Sequence, residues 1–406
     1  MTVTLETIKK ATQSIAGEVV HTPVIHSDAL SEMLSSEVFL KLENLQRTGA
    51  FKDRGALAKL KSLEGSANQK GVIAVSAGNH AQGVALHATR LGIPSTIVMP
   101  KDTPFTKVNR TRSMGAHVVL HGDSFNDCTP YAEKLMKKDG LTFVHPFDDE
   151  TIIAGQGTLG LELIETVPDL DAIICPVGGG GLIAGVATAV KAMRSRVEIF
   201  GVQPELFPSM YQAIHGLEST ADGETIAEGI AVKEPGKITR PIVEELVDGI
   251  FLSSELAIES AIETMLDQTK TLVEGAAAAP LAALMEHKTR FAGKKVALIV
   301  SGANISSRLL ASILMRSLVR TGRIISLRIS MSDNPGALAS VATHIGETGG
   351  NIVEIVHQRL FYDVPVKSTQ ADIVVETRDQ SHVREIVTRL TAAGFPCRQL
   401  GDTADG

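Results

Sequence analysis

The chain has 406 residues, 44% apolar, 21% charged and 4% aromatic, with a formal net charge of −7. The high apolar fraction and the count of three cysteines exclude collagen-like, disulfide-stapled and disordered classes. Basic residues are outnumbered 39 to 46 by acidic ones and form no run, so no nucleic-acid partner is expected.

The length suggests two or three domains. At the N-terminus, Glu6, Lys9 and Lys10 interrupt the apolar core that a secretion signal needs, so a cytoplasmic protein is expected. From about residue 38 to 320, short apolar runs alternate with stretches of helical period, the pattern of a parallel sheet covered by helices. Strands are predicted at 38–43, 71–76, 95–99, 117–120, 171–176, 198–203 and 295–301. Residues 172–190 carry no charge over a length that spans a bilayer, but Pro176 and four consecutive glycines predict strand, loop and helix there, with no membrane partner. In 254–268, Ile258, Ala261, Ile262, Met265 and Leu266 recur at spacings of three and four behind the capping candidates Ser253 and Ser254. Such an α/β sheet binds its ligands beyond the carboxyl ends of the strands.

After residue 323 the texture changes to a β-α-β-β-α-β order. A strand at 324–331 leads through DNPG into a helix over 335–348, and a second strand enters through GGNIVEIVHQRLF. A strand near 371–376, a helix near 380–393 and a strand near 396–400 complete it. Alternation with one buried face calls for a helix layer on that face. LVRTGR, 318–323, is the expected hinge between a domain of 1–320 and one of 324–406. Cys128, Cys175 and Cys397 lack the paired spacing of a zinc or redox site, so inert thiols and no metal are expected.

Four segments, each at the end of a predicted strand or the start of a helix, are candidates for chemistry. In NLQRTGAFKDRGA, 44–56, Lys52 follows Phe51 where a helix begins. An aromatic neighbour, Arg54 and the positive helix end lower an amine's pKa toward imine chemistry, while the plain alternative is a solvated first-turn lysine. SAGNHAQG, 76–83, offers small residues whose N–H groups converge on a carboxylate or phosphate, and Asn79 offers an amide. His80 is either a general base or a brace for that loop. PVGGGGL, 176–182, wraps tightly enough to present several N–H groups to a phosphate, or is a close-packing turn. It is neither a Walker loop nor a dinucleotide fingerprint. SGAN, 301–304, places the Ser301 hydroxyl where a ring nitrogen can be bonded. One lysine, one amide, one glycine nest and one hydroxyl in this order are what pyridoxal phosphate requires.

With these motifs the chain resembles the fold-type II pyridoxal-phosphate enzymes, and among them the threonine ammonia-lyases that carry one C-terminal ACT domain. The likeness extends to HTPVIHSDALS (21–31), AGQGTLGLEL (154–163), TIAEGIAV (225–232) and LVEGAAAAPLAAL (272–284). It implies a tryptophan-synthase-β-like fold of two parallel-sheet subdomains, the smaller over roughly 44–146, and a ferredoxin-like ACT domain. It also implies that Lys52 is the Schiff-base lysine with Phe51 beside the cofactor, that Asn79 bonds the phenolic oxygen, and that Gly178, Gly179, Gly180 and Gly181 hold the phosphate. By the same likeness Ser301 would face the pyridine nitrogen, Gly229 and Glu274 would border the ring, and Ser76, Ala77, Gly78, Asn79 and His80 would receive the substrate carboxylate.

The implied reaction is deamination of L-threonine to 2-oxobutanoate and ammonia, with L-serine as a second substrate. Lys52 acts as general base, and the neutral Ser301 favours prompt elimination. Serine racemases share these segments but carry a hydroxyl where this chain has Ala77, and carboxylates where it has Gln203 and Ser209. Other departures are Ala50, Ala303 and Ser306 in the TGSFK-like and SGGNID-like motifs. By the same resemblance Asp333, Asn334, Gly336 and Leu338 would bind isoleucine or valine at an interface between paired copies, in a homodimer or homotetramer. The alternatives are a dimerisation module without ligand, a serine racemase or dehydratase, and a non-catalytic amino-acid sensor.

Overall fold

Ten strands of the N-terminal part build two sheets: β1 (Val24–His26), β2 (Glu37–Leu42), β3 (Val72–Val75), β4 (Ser95–Met99), β5 (His117–Leu120), β6 (Thr142–Phe143), β7 (Ala172–Pro176), β8 (Glu198–Pro204), β9 (Gly249–Ser253) and β10 (Lys295–Val300). The computed structural model describes residues 3–63, 70–358 and 368–400. The larger sheet has the order β1-β2-β10-β7-β8-β9, parallel except for the edge strand β1. The smaller, β5-β4-β3-β6, is parallel throughout. Both sheets are covered by helices, so β7 is buried along its whole length and reads as a continuous apolar run, AIICP. The uncharged stretch 172–190 resolves into β7, the glycine loop and the helix Gly181–Met193. Among the described residues no helix is long and apolar enough to cross a membrane.

Close helix packing carries the candidate lysine to the glycine loop. The helix Lys52–Lys61 lies against the helix Glu150–Thr166, where a Cβ on Gly155 would come within 2.6 Å of the Gly55 Cα. Two residues on, Gly157 meets Gly185 of the helix Gly181–Met193: a Cβ on Gly185 would lie 2.6 Å from the Gly157 nitrogen. Side chains at these positions would force the helices apart. Beneath this layer the Arg54 guanidinium bonds both oxygens of Glu43 (2.8 Å each) and both of Glu162 (2.6 and 2.7 Å), and Lys41 Nζ reaches Glu162 at 2.6 Å. Three buried charges, Lys41, Glu43 and Arg54, and the partly buried Glu162 are thereby paired and hydrogen-bonded, the condition under which ions are tolerated away from water.

The chain divides by its contacts into two units, Met1–Ile305 and Ser306–Gly406. The second contains β11 (Ile324–Ser332), β12 (Asn351–Gln358), β13 (Ser368–Glu376) and β14 (Cys397–Gln399), all antiparallel in the order β12-β13-β11-β14. With the helices Ala337–Glu347 and Gln380–Ala392 this is the ferredoxin-like β-α-β-β-α-β order. Ile325, Leu327, Ile329 and Met331 of β11 alternate into a core with Ala371, Ile373 and Val375 of β13, and Val341, Ile345, Val383, Ile386 and Leu390 supply the helix layer.

Three features differ from the sequence-based expectation. The division falls after Ile305 and not at 318–323, because the helix Ser307–Arg320 packs on β11 and belongs to the second unit. Strands β1, β6 and β9 were not predicted; β1 and β6 are three and two residues long, too short to show a period. The strand expected in GGNIVEIVHQRLF occupies Asn351–Gln358, and residues 359–361 lie outside the described residues.

Candidate active site

Lys52 is held from the carboxyl end of β10. The Phe51 N–H donates to Ser301 O at 3.0 Å, the Ala303 N–H donates to Gly49 O at 2.9 Å, and Ala50 bridges Gly302. The Asp53 carboxylate closes the loop from within, accepting from Thr48 N and Thr48 Oγ1. Lys52 therefore starts its helix with the buried Ser301 beside it. Its Nζ donates to Pro146 O at 2.6 Å and lies 5.1 Å from the centre of the Phe51 ring. Burial lowers the amine's pKa from 10.5 to about 8, against the opposing pull of Glu274.

The glycine loop reaches the same segment from the other side. A Cβ on Gly179 would overlap the Phe147 ring, and one on Gly181 would lie 2.8 Å from Phe147 O. Phe147 follows the Pro146 carbonyl that Lys52 holds, so lysine and glycine loop flank one dipeptide. Gly180 has φ +94°, a left-handed turn that feeds the helix Gly181–Met193. Thr239 Oγ1 and the Gly236 N–H both donate to Gly179 O, and Asp148 accepts from the N–H groups of Lys237, Ile238 and Thr239. Among the described residues, the N–H groups of Gly178, Gly179, Gly180 and Gly181 donate to no other group. Gly179, Gly180 and Gly181 are buried. Buried unpaired N–H groups at a helix N-terminus are a ready site for a phosphate.

Above Lys52 sits a cluster of amides around one carboxyl group. Asn79 Nδ2 donates to Glu274 Oε1 (2.8 Å), and the Asn304 N–H donates to Glu274 Oε2 (3.1 Å). Gly229 and Gly302 have no Cβ where that carboxylate lies; one would come within 3.2 and 2.8 Å of Oε1. Burial raises the Glu274 pKa to about 7, although the bonds from Asn79 and Asn304 oppose the shift. Next to Asn79, a Cβ on Gly78 would meet nothing within 4 Å, so the loop opens onto free space there. Gly78 N donates to Ser76 Oγ (3.2 Å), and Ser76, Ala77 and Gly78 are each half-buried. His80 is buried, and its Nε2 donates to Val144 O at 2.9 Å. Burial and the nearby Lys52 lower its pKa to about 3, so the ring stays neutral and braces the loop.

Sequence reasoning passed over Pro146, Phe147, Asp148 and Thr239, whose HPFDD and TR contexts match no catalytic pattern, and left Asn304 without a role. In the C-terminal unit Asp333, Asn334 and Gly336 lie exposed on one turn, where Gly336 has φ +88°. Leu338 instead packs against its own unit's core, because positions 338, 341 and 345 form the inward stripe of the helix. Burial pushes the thiols of Cys128 and Cys175 up, away from reactivity.

A profile of the family described as pyridoxal-phosphate dependent enzyme matches residues 15–302. The chain belongs to that family. It is 42% identical over 401 residues to an L-threonine ammonia-lyase of Thermotoga maritima, covering 98% of this chain and 100% of the relative. Among solved structures, maize serine racemase superposes with a TM-score of 0.74 at 34% identity, covering 79% of this chain and 99% of that one. The processed form of threonine deaminase isoform 2 from Solanum lycopersicum gives 0.73 at 36% identity, covering 77% and 88%. The chain is therefore a lyase-type enzyme whose cofactor is pyridoxal phosphate, and the residues present fit it: a depressed amine, a glycine nest with unpaired N–H groups and a neutral buried serine converge on one place.

Proposed function

We propose that this enzyme deaminates L-threonine to 2-oxobutanoate and ammonia and acts more weakly on L-serine. The observation that carries the reading is that Lys52 and the unpaired glycine N–H groups flank a single dipeptide, Pro146–Phe147. Near-full-length likeness to an L-threonine ammonia-lyase supports the choice of substrate.

When bound, pyridoxal phosphate supplies an electron sink for the substrate α-carbon. Lys52 would hold it covalently and, once released by the incoming amino acid, take the α-proton; an amine titrating near 8 is partly free base at neutral pH. Gly178, Gly179, Gly180 and Gly181 would hold the phosphate dianion, with the helix dipole behind them. Phe51 would pack beside the ring, Asn79 would donate to its oxygen, and Ser301 would meet its nitrogen as a neutral partner. Ser76, Gly78 and the first N–H groups of the helix Asn79–Arg90 would take the substrate carboxylate. Ala77 carries no hydroxyl that could protonate the opposite face of the α-carbon, which favours elimination over racemisation.

Residues 324–406 are read as an ACT domain, with Asp333, Asn334 and Gly336 on the effector turn, in a cytoplasmic homo-oligomer; the β-α-β-β-α-β order supports the ACT reading. Titration calorimetry with isoleucine and valine tests it, and heat from neither would leave a dimerisation module. The function is tested by parallel turnover on L-threonine and L-serine with chiral analysis of the remaining serine. Faster ammonia release from threonine is expected; D-serine as the main product would overturn the reading.

A further inference from the structure

Asn304 closes a hydrogen-bonded ring that the lysine and the glycine loop do not themselves require. Its backbone N–H donates to Glu274 Oε2, Glu274 Oε1 accepts from Asn79 Nδ2, and Asn79 Oδ1 accepts from Asn304 Nδ2 at 2.6 Å. The other Nδ2 hydrogen of Asn304 goes to Thr48 O at 2.9 Å, four residues before Lys52. Gly49 leaves the room for this: with φ +77°, it has no side chain where a Cβ would come within 3.0 Å of Asn304 Oδ1.

The direction of every bond in the ring follows from chemistry. Amide nitrogen and oxygen look alike by shape, so orientation must come from partners of fixed polarity. Thr48 O is a carbonyl and only accepts, so the atom of Asn304 that faces it is nitrogen. That same nitrogen faces Asn79, whose contacting atom must be oxygen. The nitrogen of Asn79 is thereby turned toward Glu274, with one hydrogen left over by the ring.

We propose that Asn304 is a positioning residue: it locks the Asn79 amide with its nitrogen toward the cofactor ring, so that Asn79 donates there and does not accept. The inference rests on the reading of Asn79 as a partner of that ring. Asn304→Asp is nearly isosteric but sets an acceptor against both Thr48 O and Asn79 Oδ1, which drives the Asn79 amide to turn over. Asn304→Ala merely removes the donor. A buried acceptor facing acceptors costs more than a missing bond.

The cofactor dissociation constant of the full-chain enzyme, read from its visible absorption on dilution, is compared with the melting temperature for Asn304→Asp, Asn304→Ala, Asn79→Ala and the double variant Asn79→Ala/Asn304→Asp. Asn304→Asp is expected to weaken cofactor binding by roughly tenfold, and by more than Asn304→Ala. In the Asn79→Ala background Asn304→Asp should add less than about twofold. Additive losses, wild-type affinity in Asn304→Asp, or affinities that merely follow the melting temperatures would overturn the proposal. If Asn79→Ala itself leaves affinity unchanged, the reading of Asn79 falls together with this inference; if Asn79→Ala weakens binding and Asn304→Asp does not, the inference falls alone. Should Asn304→Asp not fold, a cycle of Asn304→Ala with Asn79→Ala decides, since additivity there also contradicts the coupling.

Discussion

In the cofactor-free enzyme the amine of Lys52 is expected to titrate near pH 8, against 10.5 for an ordinary lysine. At pH 7 an amine of ordinary pKa is unprotonated in roughly three molecules per ten thousand, whereas one that titrates near 8 is so in roughly one in ten, a gain of roughly 300-fold in reactive base. Burial supplies the depression and the Glu274 charge opposes it. Glu274→Gln removes the opposing charge and should move the Lys52 inflection below 8. The assay is brief acetylation with limiting reagent between about pH 6 and about pH 11, followed by digestion and mass spectrometry of the Lys52 peptide, with the exposed Lys288 as the reference. An inflection at or above 10 in the parent enzyme, or an upward move in Glu274→Gln, would refute the argument that burial tunes this amine.

Gly181→Ala sets a Cβ 2.8 Å from Phe147 O and pushes on the segment that holds Lys52. A loss of about 1–3 kcal/mol is expected, read as a lower melting temperature together with weaker cofactor retention. Arg54→Met strands the Glu43 and Glu162 carboxylates without their shared guanidinium and should cost about 3–5 kcal/mol in urea unfolding, the usual penalty for an orphaned buried charge. Glu274 has a folded pKa of about 7, above its ordinary 4.5, so between those values the folded chain holds a proton that the unfolded chain has lost. Its stabilising contribution is full below 4.5 and is lost as pH rises through 7; the urea midpoint of the cofactor-free enzyme should therefore fall less steeply over that window in Glu274→Gln than in the parent.

Much of this fold was legible because a doubly covered parallel sheet writes itself as short apolar runs. The strands predicted at 95–99 and 117–120 match Ser95–Met99 and His117–Leu120, and the other five agree to within a residue at each end. The helix predicted at 254–268 runs over Glu255–Thr269 with Ser254 as its cap. The helix Ser307–Arg320 packs on β11, a partner its amphipathic pattern does not name, since that pattern says that one face is buried and not which element buries it. The lysine, the glycine nest and Ser301 lie at strand ends and helix starts, where local chemistry is visible in a few consecutive residues. The ring around Glu274 is of another kind. Its bonds join residues 30, 195 and 225 positions apart, and no local pattern encodes the polarity of such contacts. Pro146 and Phe147 were missed for the same reason: a backbone carbonyl and a ring that fills the space left by Gly179 have no signature of their own.

The central claim, that one cofactor molecule is bound to Lys52 and cradled by the tetraglycine loop, is tested most directly by reducing the loaded enzyme with borohydride and locating the pyridoxyl group by peptide mass spectrometry. The expected result is a single modified residue, Lys52, with no modification and no ammonia release from threonine in Lys52→Ala. Label on a different lysine, or threonine turnover that survives Lys52→Ala, would contradict it.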